Sequence, residues 1–266
     1  MAVKDRIRFT LRLRLFLFLI IFVITILAGV LIILFVSGSI TAGLGKSEIF
    51  IKNEHAVIFK KTSGLYDNLA AEAVGFSRSV SMSIEGRLRE KKLSIKDLEN
   101  NPELLKEIVS DELRQVIFYL HRSKSSGAFI ILDATVNSKL LNFENSKAGI
   151  YIKNMEPNIV SSSSPTIYVL RGNADVAYMN SLPLHPQWRM EFNVTDAPYY
   201  HLHMDKLQKS KSLSNHYYWS ESFTFPETNE KIMMCSVPLI DAEGNVFGVC
   251  GFDVSYMLFK MWKITC

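Results

Sequence analysis

The chain has 266 residues, of which 48% are hydrophobic and 21% charged, with a formal net charge of +4. That length suffices for one large domain or two small ones with a real core, and the apolar content excludes disordered, collagen-like and low-complexity classes. The charge is local: residues 1–14 hold Lys4, Arg6, Arg8, Arg12 and Arg14 against Asp5 alone, and the remaining 25 bases and 25 acids cancel. A nucleic-acid surface needs a basic excess on the folded part, so no nucleic-acid partner is expected.

Leu15 to Val36 is a run of 22 residues without one charge. As a helix it spans roughly 30 Å, the hydrocarbon thickness of a bilayer. A cleaved signal peptide usually carries an apolar region of about 7–15 residues. Small residues follow at 37–43, but the length favours a retained anchor. Bases beside a span stay cytoplasmic, so the N-terminus is expected on the cytoplasmic side and everything after Val36 outside.

After the anchor, Leu65, Leu69, Phe76, Val80, Ile84 and Leu88 recur at spacings of four and seven with polar residues between them. That is one apolar stripe on a helix reaching to about Lys92. Ser94 and Asn100-Asn101-Pro102-Glu103 interrupt it, and Pro suits a first helical turn. A second amphipathic helix follows through Leu104, Leu105, Ile108, Val109, Leu113, Val116, Ile117 and Leu120. From Gly127 the period changes. Gly127-Ala-Phe-Ile-Ile-Leu-Asp133 and Ala148-Gly-Ile-Tyr-Ile-Lys153 read as strands. Residues 155–226 read as loop-rich and aromatic. The segments 231–240 and 246–254 read as a hairpin about Asp241-Ala-Glu-Gly-Asn245, whose Asp-first, Gly-fourth composition suits a type I turn with positive φ at the Gly.

Several motifs fail on their context. Gly45-Lys46-Ser47 lacks the first glycine of a phosphate loop, since position 40 is Ile40, and no strand precedes it. Gly244, Gly248 and Gly251 lie in a hairpin and make no dinucleotide fingerprint. His201, His203 and Asp205 lack a third strong metal ligand at a known spacing. Asn193-Val194-Thr195 is a glycosylation triplet whose meaning depends on the compartment. No nucleophile elbow, zinc-protease motif or convincing carboxylate pair appears, so neither an enzyme nor a cofactor is expected. What remains is an aromatic group, Trp188, Arg189, Phe192, Tyr199, Tyr200, Tyr217, Tyr218 and Trp219. These suit either core packing or a small-molecule pocket, which is mostly apolar with a few orienting polar groups.

The single span, the long helix, the strand at 127–133 and above all the closing segment Cys235-Ser-Val-Pro-Leu-Ile-Asp-Ala-Glu-Gly-Asn-Val-Phe-Gly-Val-Cys-Gly-Phe-Asp-Val-Ser255 form one pattern. It resembles the Cache (PAS-like, PDC) sensor domains of bacterial chemoreceptors, histidine kinases and diguanylate cyclases, over roughly residues 38–255. Trp219-Ser-Glu-Ser-Phe223 is similar to the family's Trp-Ser-x-x-Tyr segment. The resemblance implies an α/β (α+β) fold, with a ligand pocket on one face of a five- or six-stranded PAS-like antiparallel sheet flanked by helices. The implied organisation is a cytoplasmic basic tail (1–14), a transmembrane helix (15–36), a long extracytoplasmic helix (38–92), a sensor domain (93–255) and a short tail (256–266).

The family's closing-strand Asp anchors a ligand amine, and that position is Asp253 here. The family's Arg-x-Trp-Tyr element is altered: Trp188 takes the Trp place, Pro186 stands two residues before it, Arg189 follows it, and Phe223 stands where Tyr is usual. The candidate ligand-binding residues are therefore Asp253, Trp188, Arg189, Tyr199, Tyr217 and Phe223, for an amine- or amino-acid-like ligand. Asp253 shares a strand face with Gly251, which as a glycine leaves room beside it. The chain ends eleven residues after Ser255. A signalling role therefore calls for a partner output protein or a longer receptor, and the long helix is a candidate surface for a homodimer. The alternative is a membrane-tethered interaction or scaffold protein. Finally, if the hairpin closes on a three-residue loop, Cys235 faces Gly251 and Cys250 faces Ser236. The two thiols then point to opposite sheet faces and stay unbridged.

Overall fold

In the computed structural model the described residues are 10–37, 39–99, 101–137, 139, 141, 143–154, 167–206, 216–225, 228–256 and 258. The stretches 161–164 and 207–215, most of the expected tails and Cys266 lie outside them. The chain divides into two compact units, Met1–Lys60 and Lys61–Cys266.

In the first unit, α1 runs Leu11–Val36 with no buried residue, long and apolar enough to cross a membrane. It begins four residues before the apolar run because Arg12 and Arg14 are good helix formers whose long stems reach out from a span end. The helix α2 covers Ser39–Glu90. Gly45-Lys46-Ser47 therefore lies within a helix, where no phosphate loop can form.

In the second unit, the α2 stripe is buried at Leu69, Phe76, Val80, Ile84 and Leu88. Each large apolar side chain so buried contributes about 1.5–3 kcal/mol. Two serines on the helix also reach the sheet. Ser77 Oγ donates to Pro238 O at 2.6 Å, and the Ile240 amide donates to Ser81 Oγ at 3.2 Å. The helix α3, Pro102–Ser123, starts with Pro in its first turn and with the Leu104 amide donating to Asn101 Oδ1 at 3.1 Å. It ends on left-handed Lys124.

The main sheet takes the order β5(Leu184–Arg189), β4(Ile167–Arg171), β3(Gly149–Asn154), β1(Gly127–Leu132), β10(Val246–Ser255), β9(Glu230–Ile240), β7(Tyr218–Trp219), with β8(Phe223–Phe225) also on β9. Among the described residues it holds eight strands, more than the five or six the resemblance implies, and β4 and β5 pair in parallel. A separate ribbon joins β2(Ser146–Lys147) to β6(Phe192–Asn193). The segment 155–226 is thus less loop-rich than its composition suggests. Besides strands it holds α4, Ala174–Met179, and α5, Pro198–Lys206. β5 carries no clear strand signal in the sequence because it is a half-exposed edge strand containing Pro186, where Pro is tolerated and no apolar alternation is needed.

One face of the sheet packs under α2 and α3, with Ile130, Ile152, Val237, Cys250 and Phe252 in that core. The opposite face carries Phe129, Tyr151, Tyr199, Phe225, Met234 and Val249, and α5 lies over β9 and β10 there.

The hairpin turn forms as expected. Gly244 has φ +89°, and Asp241 Oδ1 accepts from the Glu243 and Asn245 amides at 2.9 and 2.7 Å. The register beyond it differs from the expected one. Val246 pairs Ile240, but Gly248 pairs Leu239, leaving Phe247 as a bulge. Its side chain is buried in the helix-side core, and its carbonyl accepts from the Asp133 amide at 2.9 Å. The extra residue moves every later pair by one, so Cys235 faces Phe252 and Cys250 faces Val237. Both thiols lie on the helix-side face, not on opposite faces; both are free and buried.

Candidate ligand-binding site

The site is built around a missing side chain. Gly127 opens the central strand β1 and pairs with Asp253 on β10 and with Lys153 on β3. Facing residues share one side of a sheet, and strands two apart lie roughly 10 Å from each other. A long lysine covers that gap only if nothing stands between, and Gly127 leaves it clear. A Cβ there would run into Asp253 Oδ1 and come within 2.8 Å of the Tyr151 ring. Lys153 Nζ therefore reaches Asp253 Oδ2 at 2.7 Å and also Glu230 Oε2, at the start of β9, at 2.7 Å. Lys153 and Asp253 are fully buried, whereas Glu230 keeps a third of its side chain exposed.

Two polar atoms of this cluster stay without a hydrogen-bond partner: Asp253 Oδ1 and the Tyr151 hydroxyl. The two side chains face each other closely enough for a Tyr151–Asp253 hydrogen-bonding contribution to raise the phenol and lower the carboxyl. Asp253 Oδ1 and the Tyr151 hydroxyl nevertheless do not meet strict hydrogen-bond distance and angle, and they have no other partner. Around them the rings interlock edge to face. Phe225 and Phe129 lie 5.8 and 6.1 Å from Tyr151, and Tyr199 lies 5.9 Å from Phe129. Phe223 stacks on Tyr199 at 6.5 Å.

Electrostatics follow from this burial. Burial raises the Asp253 pKa above the usual carboxylate value, with Lys153 pulling the other way. Burial also pushes Lys153 towards losing its proton, but Asp253 and Glu230 outweigh it and hold the ammonium above its ordinary pKa. Tyr151 is raised well above the ordinary phenol value, by burial first and then by the charge of Asp253. Its hydroxyl therefore stays neutral and able to donate.

Of the residues expected from sequence, Asp253, Tyr199 and Phe223 share this face. Trp188 does not. It packs against the helix-side core, and its Nε1 donates to Gly172 O at 3.0 Å. Arg189 is exposed on the edge strand and lines a separate open cleft of about 630 Å³ with Glu191 and Phe192. Tyr217 is 45% exposed and belongs to neither core. The room expected beside Gly251 is filled by the Cys235 carbonyl of the neighbouring strand.

Gly127, Tyr151, Lys153 and Glu230 were missed by sequence reasoning. The available signal was Lys153 itself, a base placed in phase with Tyr151 on an otherwise apolar strand. The histidines of α5 serve the backbone. His201 Nε2 lies 2.6 Å from Val194 O, and buried His203 Nε2 lies 3.1 Å from Ser236 O and 2.9 Å from Ser236 Oγ. Among the described residues no cluster of three or more His, Cys, Asp or Glu is placed to hold a metal ion.

No family model matches the chain, and no curated protein matches it in sequence. Solved structures similar to it are sensory or ligand-binding domains of chemoreceptors. The periplasmic sensory domain of the Campylobacter jejuni chemoreceptor Tlp1 is 15% identical, with 74% of this chain and 58% of that chain covered and a TM-score of 0.37. The sensory domain of Campylobacter jejuni Tlp3 with isoleucine bound is 14% identical, over 77% of this chain and 66% of that one, with a TM-score of 0.33. The ligand-binding domain of the Pseudomonas aeruginosa amino acid chemoreceptor PctC in complex with GABA is 12% identical, over 71% and 61%, with a TM-score of 0.27. The chain thus spans 58 to 66% of the length of these three chains.

Proposed function

We propose that this chain is a membrane-anchored sensor that binds a small molecule at Asp253 and Tyr151 on the aromatic face of its sheet. The observation that carries the reading is the pair of fully buried, unpartnered polar atoms, Asp253 Oδ1 and the Tyr151 hydroxyl, set among aromatic rings. Leaving such an atom unpaired costs about 1–3 kcal/mol, and folded proteins rarely keep one without a reason. A ligand that satisfies both atoms recovers that energy, and the surrounding rings supply the apolar walls typical of small-molecule sites. Tyr199 and Phe223 contribute to those walls. The expected amine anchor at Asp253 has a resident competitor in Lys153, already on Oδ2.

Ligand energy shifts an equilibrium only through different affinities for two states. β10 suits such a role because Asp253 faces the site while its neighbour Phe252 packs against α2. The bases before the span support a cytoplasmic tail with the sensor unit outside, since positive residues flanking a span favour the cytoplasmic side. Exposed Phe50, Ile51, Val57, Ile58 and Phe59 on α2 suit association of two copies through that helix, and signalling output then comes from a partner or from further receptor sequence.

The test is thermal unfolding of the full chain in detergent against amines, amino acids, organic acids and neutral amides. A stabilising compound whose effect disappears in Asp253→Asn supports the reading. Stabilisation by none of them leaves a membrane-tethered interaction protein instead. A reporter fused after Ser255 is expected to be active only outside the cytoplasm, and activity inside reverses the topology.

A further inference from the structure

The internal lysine narrows the class of ligand, an inference that rests on the site proposed above. We infer that the ligand is uncharged where it meets Asp253, presenting a hydrogen-bond donor beside an acceptor, as a carboxamide or lactam edge does, on a flat or apolar body.

Three observations lead there. First, the cation that a buried carboxylate requires is already present, with Lys153 Nζ 2.7 Å from Asp253 Oδ2. A ligand ammonium on Oδ1 would bring a second buried positive charge close to the first, and burying a charge without its own partner is costly. A ligand carboxylate fares worse, since Asp253 and Glu230 both stand at the site. Second, the two unpartnered atoms are complementary in kind. Asp253 Oδ1 can only accept, and the neutral Tyr151 hydroxyl can donate. An N–H and a C=O on one rigid edge satisfy both at once, and neither group brings a net charge into the buried site. Third, the Tyr151 ring is flanked edge to face by the rings of Phe225 and Phe129, and aromatic groups receive a flat body by stacking or edge contact.

The test uses three probes of one shape and different charge, namely benzamide, benzylammonium and benzoate, each titrated against the full chain in detergent while thermal unfolding is followed. Benzamide is expected to raise the melting temperature by about 3 °C at ten times its dissociation constant, and the two charged probes to leave it unchanged. Tyr151→Phe is expected to weaken benzamide about tenfold, the effect of losing one hydrogen bond. Lys153→Met is expected to invert the preference, because benzylammonium then restores the cation that Asp253 has lost. Lys153→Gln serves where the Met variant does not fold. If benzylammonium stabilises the unmodified chain as well as benzamide does, the inference about charge fails while the sensor reading stands. If benzamide never binds but benzylammonium rescues the Lys153 variant, the site is reachable and the inference again fails alone. If no probe shifts any form of the protein, the inference and the site fall together.

Discussion

Phe252 stacks on Phe76 of α2 with ring centroids 5.6 Å apart and planes 19° from parallel. The next residue on β10 is Asp253, which faces the opposite side of the sheet. One strand therefore holds the candidate ligand contact and the helix contact on adjacent residues, linked by nothing longer than a peptide unit. Phe76 and Phe252 are both fully buried, so Phe76→Ala removes a ring and leaves a cavity. The expected loss is about 3–5 kcal/mol, read as a fall in melting temperature. A loss near zero would show that this contact does not hold the helix to the sheet.

Gly127 has no room for an added side chain. Gly127→Ala places a methyl group against the Asp253 carboxylate and the Tyr151 ring, so the ion pair across β1 must shift or the strands must part. Overpacking of this kind costs about 1–3 kcal/mol. A variant as stable as the parent would mean that the Lys153–Asp253 pair tolerates displacement.

His203 gives the fold an acid sensitivity of definite sign. Burial, opposed by its hydrogen bond to Ser236, lowers its pKa to about 4. The unfolded chain takes up that proton near pH 6.5, so between 6.5 and 4 the unfolded state binds more protons than the native one. The stabilising contribution is complete above pH 6.5 and is lost as the pH falls to about 4, by roughly 3 kcal/mol at most. His203→Gln should flatten this part of the pH–stability curve, and an unchanged slope would assign it to other groups.

Cys235 and Cys250 should behave as inert thiols. Burial pushes Cys235 up to about 12 and Cys250 well above the ordinary thiol value, and the thiolate is the reactive form. Both are expected to resist maleimide in the native protein and to react once it is unfolded. Non-reduced peptide mass spectrometry should find no 235–250 link, because the directly facing residues are Phe252 and Val237. Finding that link would place the two sulfur atoms closer together than this register allows.

The α2 stripe, the amphipathic α3 with its proline start, the apolar anchor and the closing hairpin were all legible in the sequence, because each depends on spacing within one segment. The place of Asp253 on the closing strand was legible too, from the pattern of that strand. The thiol faces were not, since they turn on whether Phe247 bulges, and that depends on the core into which its ring packs. Trp188 and Tyr199 look alike as aromatic residues in one stretch, and only the strand and helix that carry them send one to the helix-side core and the other to the site face.

The chain by itself determined which segments are apolar, which are amphipathic and where the hairpin turns, since periodicity and turn chemistry act over a few residues. The tertiary structure alone decided that Lys153 answers Asp253. Those residues stand one hundred positions apart on strands that do not touch, and they meet only because β1 lies between them and presents Gly127, with no side chain, at the point where their side chains cross.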